Sequence, residues 1–264
     1  MKETKLEILP IFIFETYSQS ISDAELRVYE QLKESGLTID SFSFYTSVSA
    51  VFSSKIEGES IEFDSYIKHK RFNIEFLPDY TQKIDDLYNA YQFAKTAQLN
   101  KENIDFAHKL LTTHILPTKQ QGKFRTSNMY VTTDDGRIEY VAAPPFIVNA
   151  EIEKFYSDLK TLLESNLTLK EIFFFASLLH LVFVKIHPFN DGNGRISRLI
   201  EKWFLAQKLG ENAWFIQSEK NYYLEHQTYY KNIRQLGFEY EALNYEKSIP
   251  FLLMLPNSLV LSNQ

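Results

Sequence analysis

The segment from His187 to Arg198, which reads HPFNDGNGRISR, constrains the fold of this chain more than any other stretch. It follows residues 170–186, KEIFFFASLLHLVFVKI, which are apolar on nearly every face and predict a buried helix. Pro188 cannot continue that helix, because proline has no backbone N–H and its ring clashes with the preceding turn. We therefore expect His187 at a helix end that points into a functional site.

The glycines of this segment predict an anion-binding turn. Gly192 and Gly194 allow backbone N–H groups to approach a ligand closely, and the helical pattern RISRLIEKWFLAQKLG follows and ends at Gly210. The N-terminus of a helix attracts phosphate, because its first N–H groups are unpaired and its dipole is positive there. The turn is therefore suited to a phosphate-containing ligand.

The charged side chains of the segment fit the same ligand. Arg195 and Arg198 lie three positions apart, so two guanidinium groups can face one polyphosphate. Asp191 offers a hard oxygen ligand for Mg²⁺, which usually binds one or two carboxylates together with substrate phosphates. His187 is the residue best suited to accept a proton near neutral pH.

The spacing of residues in this segment does not match three other glycine-rich or acidic ligand-binding motifs. A P-loop would end in Gly-Lys-Ser/Thr, which is absent here. A dinucleotide-binding turn would need a glycine where Ser197 stands and a strand before it. An EF-hand that began at Asp191 would need a glutamate where Lys202 stands. The plain alternative is a polar turn between two core helices.

The segment resembles the signature of Fic-domain proteins, His-x-Phe-x-Asp/Glu-Gly-Asn-Gly-Arg-x-x-Arg, and every fixed position is matched. The resemblance implies an all-α fold, a Fic-type helical bundle with a small β-hairpin flap, that transfers AMP from ATP to a hydroxyl of a target protein. It also implies a catalytic base at His187, a loop anchor at Phe189 and a Mg²⁺ ligand at Asp191. The phosphates of ATP would bind to Gly192, Asn193, Gly194, Arg195 and Arg198.

Residues 46–58 carry a second pattern, which ends in SSKIEG. A glutamate before a helix-ending glycine is by itself an ordinary solvated residue. Many Fic relatives, however, carry an inhibitory helix with the pattern Ser/Thr-x-x-x-Glu-Gly/Asn, and Ser53, Glu57 and Gly58 match it. Its place before the core resembles the class whose inhibitory helix precedes the Fic domain. The resemblance implies that Glu57 pairs with Arg198 and takes the guanidinium needed for the γ-phosphate.

The stretch MYVTTDDGRIEYV at residues 129–141 predicts a β-hairpin, since two β-rich pieces flank Asp-Asp-Gly. By itself this is a small hairpin on a helical domain. In Fic proteins a hairpin flap at this place pairs with the backbone of the target, by strand addition. The flap residues that would dock the target are Val131, Thr132, Thr133, Ile138 and Tyr140.

The leading hypothesis is an autoinhibited protein AMP transferase that modifies a Tyr, Ser or Thr hydroxyl and that can also remove AMP from its target. The alternatives are transfer of UMP, phosphate or phosphocholine on the same scaffold, or a non-catalytic protein that senses nucleotides. Gly194 favours nucleotidyl transfer, because phosphate-transferring relatives carry a bulky basic residue there. The expected ligands are ATP as substrate and Mg²⁺.

Composition sets the wider limits. A hydrophobic content of 44% provides a sizeable core, and the absence of cysteine excludes disulfides and thiolate metal sites. The net charge of −6 argues against general nucleic-acid binding, and the longest apolar run is too short to span a bilayer. We expect a cytoplasmic protein that acts on a target protein, does not bind DNA directly and has a second copy of itself as a further partner.

The chain divides into three predicted regions. An N-terminal helical region at 1–100 carries the inhibitory helix, a Fic core at 101–240 carries the flap and the catalytic loop, and 241–264 form an apolar extension. Further helices are predicted at 22–36, 81–97, 99–115 and 149–165, whereas the first 20 residues are expected to be irregular. His108 and His114 are interpreted as ordinary core or surface histidines, because neither has the partner that a zinc-binding helix needs.

Overall fold

The computed structural model describes residues 5–32, 41–132, 136 and 138–261. The protein is mostly helical and has one small antiparallel hairpin, so the predicted all-α class with a hairpin is confirmed. The α-helices are α1 Phe14–Gln19, α2 Asp23–Leu26, α3 Ser41–Ile56, α4 Phe63–Phe72, α5 Pro78–Thr96, α6 Lys101–Leu111, α7 Pro145–Glu164, α8 Leu169–Ile186, α9 Asn193–Leu209, α10 Ser218–Leu224, α11 His226–Arg234, α12 Ile249–Leu252 and α13 Met254–Leu261.

Helix α8 is the centre of the bundle. Every side chain from Glu171 to Ile186 is buried, which agrees with its apolar sequence. The helix begins with a capping box, in which Thr168 and Glu171 bond each other's backbone N–H groups. It packs along α9, so the turn between these two helices has a fixed place beside the core.

The hairpin pairs β1, Tyr130–Thr132, with β2, Ile138–Val141. The backbone N–H of Val141 also donates to the carbonyl of Phe238, at 2.8 Å. This bond occupies the outer edge of β2. In the described part of the chain, the outer edge of β1 has no strand partner.

The N-terminal part differs from the sequence prediction. The helix predicted at 22–36 begins with a capping box of Ser22 and Glu25, but α2 changes at Arg27 into a 3₁₀ turn that ends at Gln31. Residues 33–36 lie outside the described residues. The first 20 residues are not irregular throughout, since a 3₁₀ turn at Ile11–Ile13 leads into α1. The buried Asp158 carboxylate fixes this region, because it accepts hydrogen bonds from three successive backbone N–H groups, those of Glu7, Ile8 and Leu9.

Among the described helices, none combines the length and the apolarity that a bilayer crossing requires. The hydrophobic residues form a core that includes α8, α9 and the N-terminal residues from Leu9 onward.

Candidate active site

His187 ends helix α8 in the left-handed conformation, with φ 54° and ψ 58°. A residue other than glycine rarely adopts this conformation, and it marks strain that the surroundings must support. Here Pro188 follows and the backbone N–H of His187 still bonds to the carbonyl of Phe183, at 2.9 Å. His187 thus lies at the end of α8, where the sequence predicts a helix end.

The hydrogen bonds of His187 define its proton acceptor. Its Nδ1 lies 3.2 Å from the carbonyl of Val184, which can only accept, so Nδ1 carries the proton and Nε2 carries the lone pair. Burial lowers the pKa of His187 to about 4, although the bond to Val184 and the charge of Glu57 act in the opposite direction. The ring is therefore neutral at pH 7, in the form that accepts a proton.

Arg125 holds the backbone of His187 and both ends of the flap. Its Nε donates to the carbonyl of His187 at 2.7 Å, its Nη1 to that of Ser127 at 2.7 Å and its Nη2 to that of Ala143 at 2.5 Å. The side chain is buried. Arg125 is not among the residues that the sequence predicts for the site, since a single arginine before a strand has no distinguishing pattern.

The turn after His187 is fixed by its own side chains. Phe189 is fully buried, and its backbone pairs with that of Phe124. Asn193 bonds Phe189 twice, since its Oδ1 accepts from the Phe189 N–H and its Nδ2 donates to the Phe189 carbonyl, both at 2.9 Å. The side chain of Asn193 is thus used within the loop, and only its backbone remains available for a phosphate.

Close contacts leave no room for a side chain at either loop glycine. A Cβ on Gly192, which has φ +79°, would lie 2.8 Å from Cγ2 of Thr112. A Cβ on Gly194 would overlap Oε1 of Glu57 and lie 3.1 Å from Nη1 of Arg198. The Glu57 carboxylate therefore lies directly against the first turn of α9.

Arg198 is buried, with 1% of its side chain exposed, and each of its nitrogens has a partner. Nε donates to Oγ of Ser53 at 2.8 Å and Nη1 donates to the Tyr229 hydroxyl at 3.3 Å. Nη2 donates to the Ser53 carbonyl at 3.0 Å and to Oε1 of Glu57 at 2.7 Å. The structure thus brings Ser53 and Glu57 together with Arg198, which lies more than 140 positions further along the chain.

The charge of Glu57 is maintained by these arginines. Burial would raise its pKa, but Arg198 and then Arg195 outweigh that effect and lower it. The side chain is 24% exposed. Gly58 follows with φ +90°, a conformation that suits glycine and that ends α3 at this point.

Arg195 has a looser environment than Arg198. Its side chain is 5% exposed, its Nη2 lies 3.6 Å from Oε1 of Glu59 and its Nη1 lies 3.9 Å from Oδ1 of Asp191. Among the described residues its buried Nε has no hydrogen-bond partner. Oε1 of Glu59 is held by Lys83, whose Nζ lies 2.8 Å away. A buried nitrogen without a partner is unfavourable, and an incoming anion would satisfy it.

The Asp191 carboxylate fits the chemistry of a Mg²⁺ ligand. It is 53% exposed, and Oδ1 accepts from the Gly192 N–H at 2.5 Å. No group of three metal-binding side chains occurs in the described ranges. A single carboxylate is what Mg²⁺ needs when phosphate oxygens and water complete its shell.

The predicted flap residues divide between two faces. Thr132 and Ile138 are exposed and Val131 is partly buried. Tyr140 is buried, and its hydroxyl donates to the Val184 carbonyl at 3.1 Å, so its side chain supports the site and does not face a target. Thr133 lies outside the described residues.

A cavity of about 390 Å³ opens between the flap, the end of α3 and helix α11. Lys55, Thr132, Glu139, His226, Tyr230 and Arg234 are among the residues that line it. Tyr230 lies in this wall, whereas the nearby Tyr222 and Tyr229 are buried in the core.

Comparison with known proteins agrees with this description. Residues 98–205 match the model of the Fic/DOC family. Proteins of that family are in general transferases.

Solved structures show the same fold over nearly the whole chain. A Fic family protein from Desulfovibrio desulfuricans G20 is 17% identical with a TM-score of 0.76, over 97% of this chain and 75% of that one. A Fic domain containing signaling protein from Bacteroides thetaiotaomicron VPI-5482 is 17% identical with a TM-score of 0.59, over 96% and 94%. Fic-1 from C. elegans is 14% identical with a TM-score of 0.61, over 96% and 68%. At these identities the similarity concerns the fold.

Proposed function

We propose that this protein is an autoinhibited AMP transferase, which moves AMP from ATP to a Tyr, Ser or Thr hydroxyl of a target protein. The observation that carries the proposal is the position of the Glu57 carboxylate. It lies against Gly194 at the start of α9 and bonds to Arg198. A carboxylate of the chain itself thus occupies a place built for an anion.

That place has three properties of a phosphate site. The first N–H groups of α9, a helix of 17 residues, are unpaired within the helix. Arg198 offers a guanidinium at full charge, and Arg195 has a buried nitrogen without a partner in the described ranges. An ATP γ-phosphate that displaced Glu57 would gain these groups, and the β-phosphate would lie nearer Arg195.

The reaction requires a base on the target side. Nε2 of His187 carries the free lone pair and is suited to remove the proton from the target hydroxyl. The hydroxyl oxygen then forms a bond to the α-phosphorus of ATP. The bond from that phosphorus to the bridging oxygen breaks, and pyrophosphate leaves with the electron pair. The proton stays on His187 until solvent takes it.

Asp191 would hold Mg²⁺, which supplies charge neutralisation on the phosphates when bound. Most of the catalytic effect then comes from positioning and electrostatic stabilisation. The target backbone would add to the outer edge of β1, where the described part of the hairpin has no partner.

The cavity beside Glu57 is suited to the nucleoside. Its volume of about 390 Å³ lies within the range for small-ligand sites, and the Tyr230 ring offers a stacking surface. It adjoins Ile56 and Gly58, so a nucleoside there would place its phosphates toward α9.

Position-specific labels on ATP test the chemistry. A Glu57→Gly variant would be incubated with Mg²⁺ and ATP that is labelled at the α- or the γ-phosphate. We expect protein-bound label from α-labelled ATP and none from γ-labelled ATP. Label from the γ-position would instead indicate phosphate transfer, and absence of both labels on the variant and on lysate proteins would favour a nucleotide sensor.

A further inference from the structure

His108 in helix α6 is fully buried, and both nitrogens of its ring have backbone partners. Nδ1 accepts from the Gly122 N–H at 3.0 Å, and Nε2 lies 2.8 Å from the carbonyl of Asp191. The N–H of Gly122 can only donate and the carbonyl of Asp191 can only accept. His108 is therefore neutral with its proton on Nε2. Burial lowers its pKa to about 4, which is consistent with this form.

The ring of His108 also packs on the catalytic loop. It stacks on Phe189 with 3.6 Å between ring centroids and 13° between planes. Thr112 and Leu111, from the same end of α6, closely approach Gly192. The loop thus lies on the surface of α6, and His108 is its polar contact with that helix.

The bond from His108 determines how the peptide between Asp191 and Gly192 is oriented. In a trans peptide the C=O and N–H groups point in opposite directions. When His108 holds the carbonyl toward α6, the N–H of Gly192 must point away from α6, and there it donates to Oδ1 of Asp191 at 2.5 Å. The same bond therefore orients the carboxylate that faces the site.

We propose that His108 is a positioning residue, which fixes the Asp191–Gly192 peptide and through it the Asp191 carboxylate. The consequence for catalysis depends on the proposed AMP transfer, whereas the consequence for the loop does not. Without the Nε2–H donor, the hydrogen bond that orients this peptide is lost. The Asp191 carboxylate is then no longer held in one position relative to the N-terminus of α9.

Two substitutions separate the two ring nitrogens. In His108→Gln the amide nitrogen reaches the place of Nε2 and retains the donor to Asp191. In His108→Asn the amide oxygen reaches the place of Nδ1 and retains only the acceptor for Gly122. Both remove the ring that stacks on Phe189, and each retains one of the two hydrogen bonds, so the difference between them compares the bond to Asp191 with the bond to Gly122.

Hydrogen–deuterium exchange of residues 188–194 gives a readout that is independent of activity. We expect faster exchange in His108→Asn than in His108→Gln, at equal thermal stability. In a Glu57→Gly background we expect kcat of the Asn variant to fall about 10- to 100-fold below that of the Gln variant, with KM for ATP unchanged, because misplaced groups reduce catalysis more than binding. Equal exchange in the two variants would overturn the proposal.

The outcomes separate the proposal from the proposed function. If the Glu57→Gly protein shows no AMP transfer, exchange alone still decides the role of His108. If either variant fails to fold, ¹⁵N resonances of the wild-type His108 ring decide it. We expect a proton on Nε2 and coupling to the Asp191 carbonyl, and a ring protonated on Nδ1 would overturn the proposal.

Discussion

Oε1 of Glu57 lies 2.7 Å from Nη2 of Arg198, although 141 positions separate the two residues in the sequence. The pair is enclosed by Ser53, which bonds the same guanidinium through its side chain and its carbonyl. Arg198 is therefore held in place whether or not Glu57 is present. This arrangement predicts that removal of the carboxylate frees the anion site without disordering it.

Glu57→Gly should raise the rate of AMP transfer at least about tenfold, a factor that corresponds to about 1.4 kcal/mol. The expected cause is access of the γ-phosphate to Arg198. The rate is measured as self-modification in the presence of ATP and Mg²⁺. Glu57→Gln keeps the size of the side chain without the charge. Its rate of AMP transfer should lie between those of wild type and Glu57→Gly. Arg198→Ala should show no gain, and a gain equal to that of Glu57→Gly would contradict the phosphate role of Arg198.

Glu59→Gln should strengthen binding of ATP less than Glu57→Gly does, because Glu59 lies 3.6 Å from Arg195 and also pairs with Lys83. Calorimetry with Mg-ATP measures the affinity. Glu62→Gln is a matched control on the same segment, since the Glu62 side chain is 81% exposed and its carboxylate lies 3.8 Å from the Lys55 ammonium. Equal effects of the Glu59 and Glu62 substitutions would show that Glu59 affects ATP binding through the net charge of the protein and not through its contact with Arg195.

His187→Ala should reduce transfer about 10²- to 10⁴-fold, the usual contribution of a positioned base, and leave ATP affinity nearly unchanged. The two quantities are measured by labelled AMP incorporation and by calorimetry, both in the Glu57→Gly background. His114→Ala serves as control, because His114 pairs with Asp86 on α5. Full activity of the His187 variant would remove this residue from the mechanism.

The free energy of unfolding should depend on the protonation of His108. Its folded pKa of about 4 lies below the unfolded value of about 6.5, so between these values the unfolded chain binds more protons. Stability contributed by the neutral ring is then lost as the pH falls from about 6.5 to about 4, with a limiting slope of about 1.4 kcal/mol per pH unit. Denaturant unfolding of wild type and His108→Gln at several pH values measures the difference. Parallel curves would show that His108 titrates normally.

The catalytic loop could be predicted from the sequence because its chemistry is local. Pro188 ends one helix, the glycines form the turn, and the spacing of Arg195 and Arg198 defines one helix face. The predicted contact between Glu57 and Arg198 rested on resemblance, since no periodicity relates residues in two separate helices. The geometry now places them together.

The supporting residues were harder to predict. His108 was interpreted as an ordinary histidine, yet Ile104, Ala107 and Leu111 share the buried face of α6 with it. A histidine on such a face needs hydrogen-bond partners, and this signal was present in the sequence. Arg125 gave no comparable signal, because its bonds to His187, Ser127 and Ala143 depend on the tertiary fold.

The helix predicted at 22–36 was too long, because a capping box marks only where a helix begins. Ser22 and Glu25 form that box. The change to a 3₁₀ turn at Arg27 and the extended backbone at Leu32 follow from packing, which propensity does not contain.

Intact-mass spectrometry of two purified variants tests the central claim most directly. Glu57→Gly and the double variant Glu57→Gly with His187→Ala would each be incubated with ATP, Mg²⁺ and candidate target proteins. We predict that Glu57→Gly, and not the double variant, adds the mass of an AMP group to itself or to a target. Absence of that adduct on the Glu57→Gly protein and on every target, or equal adducts with both variants, would contradict the account.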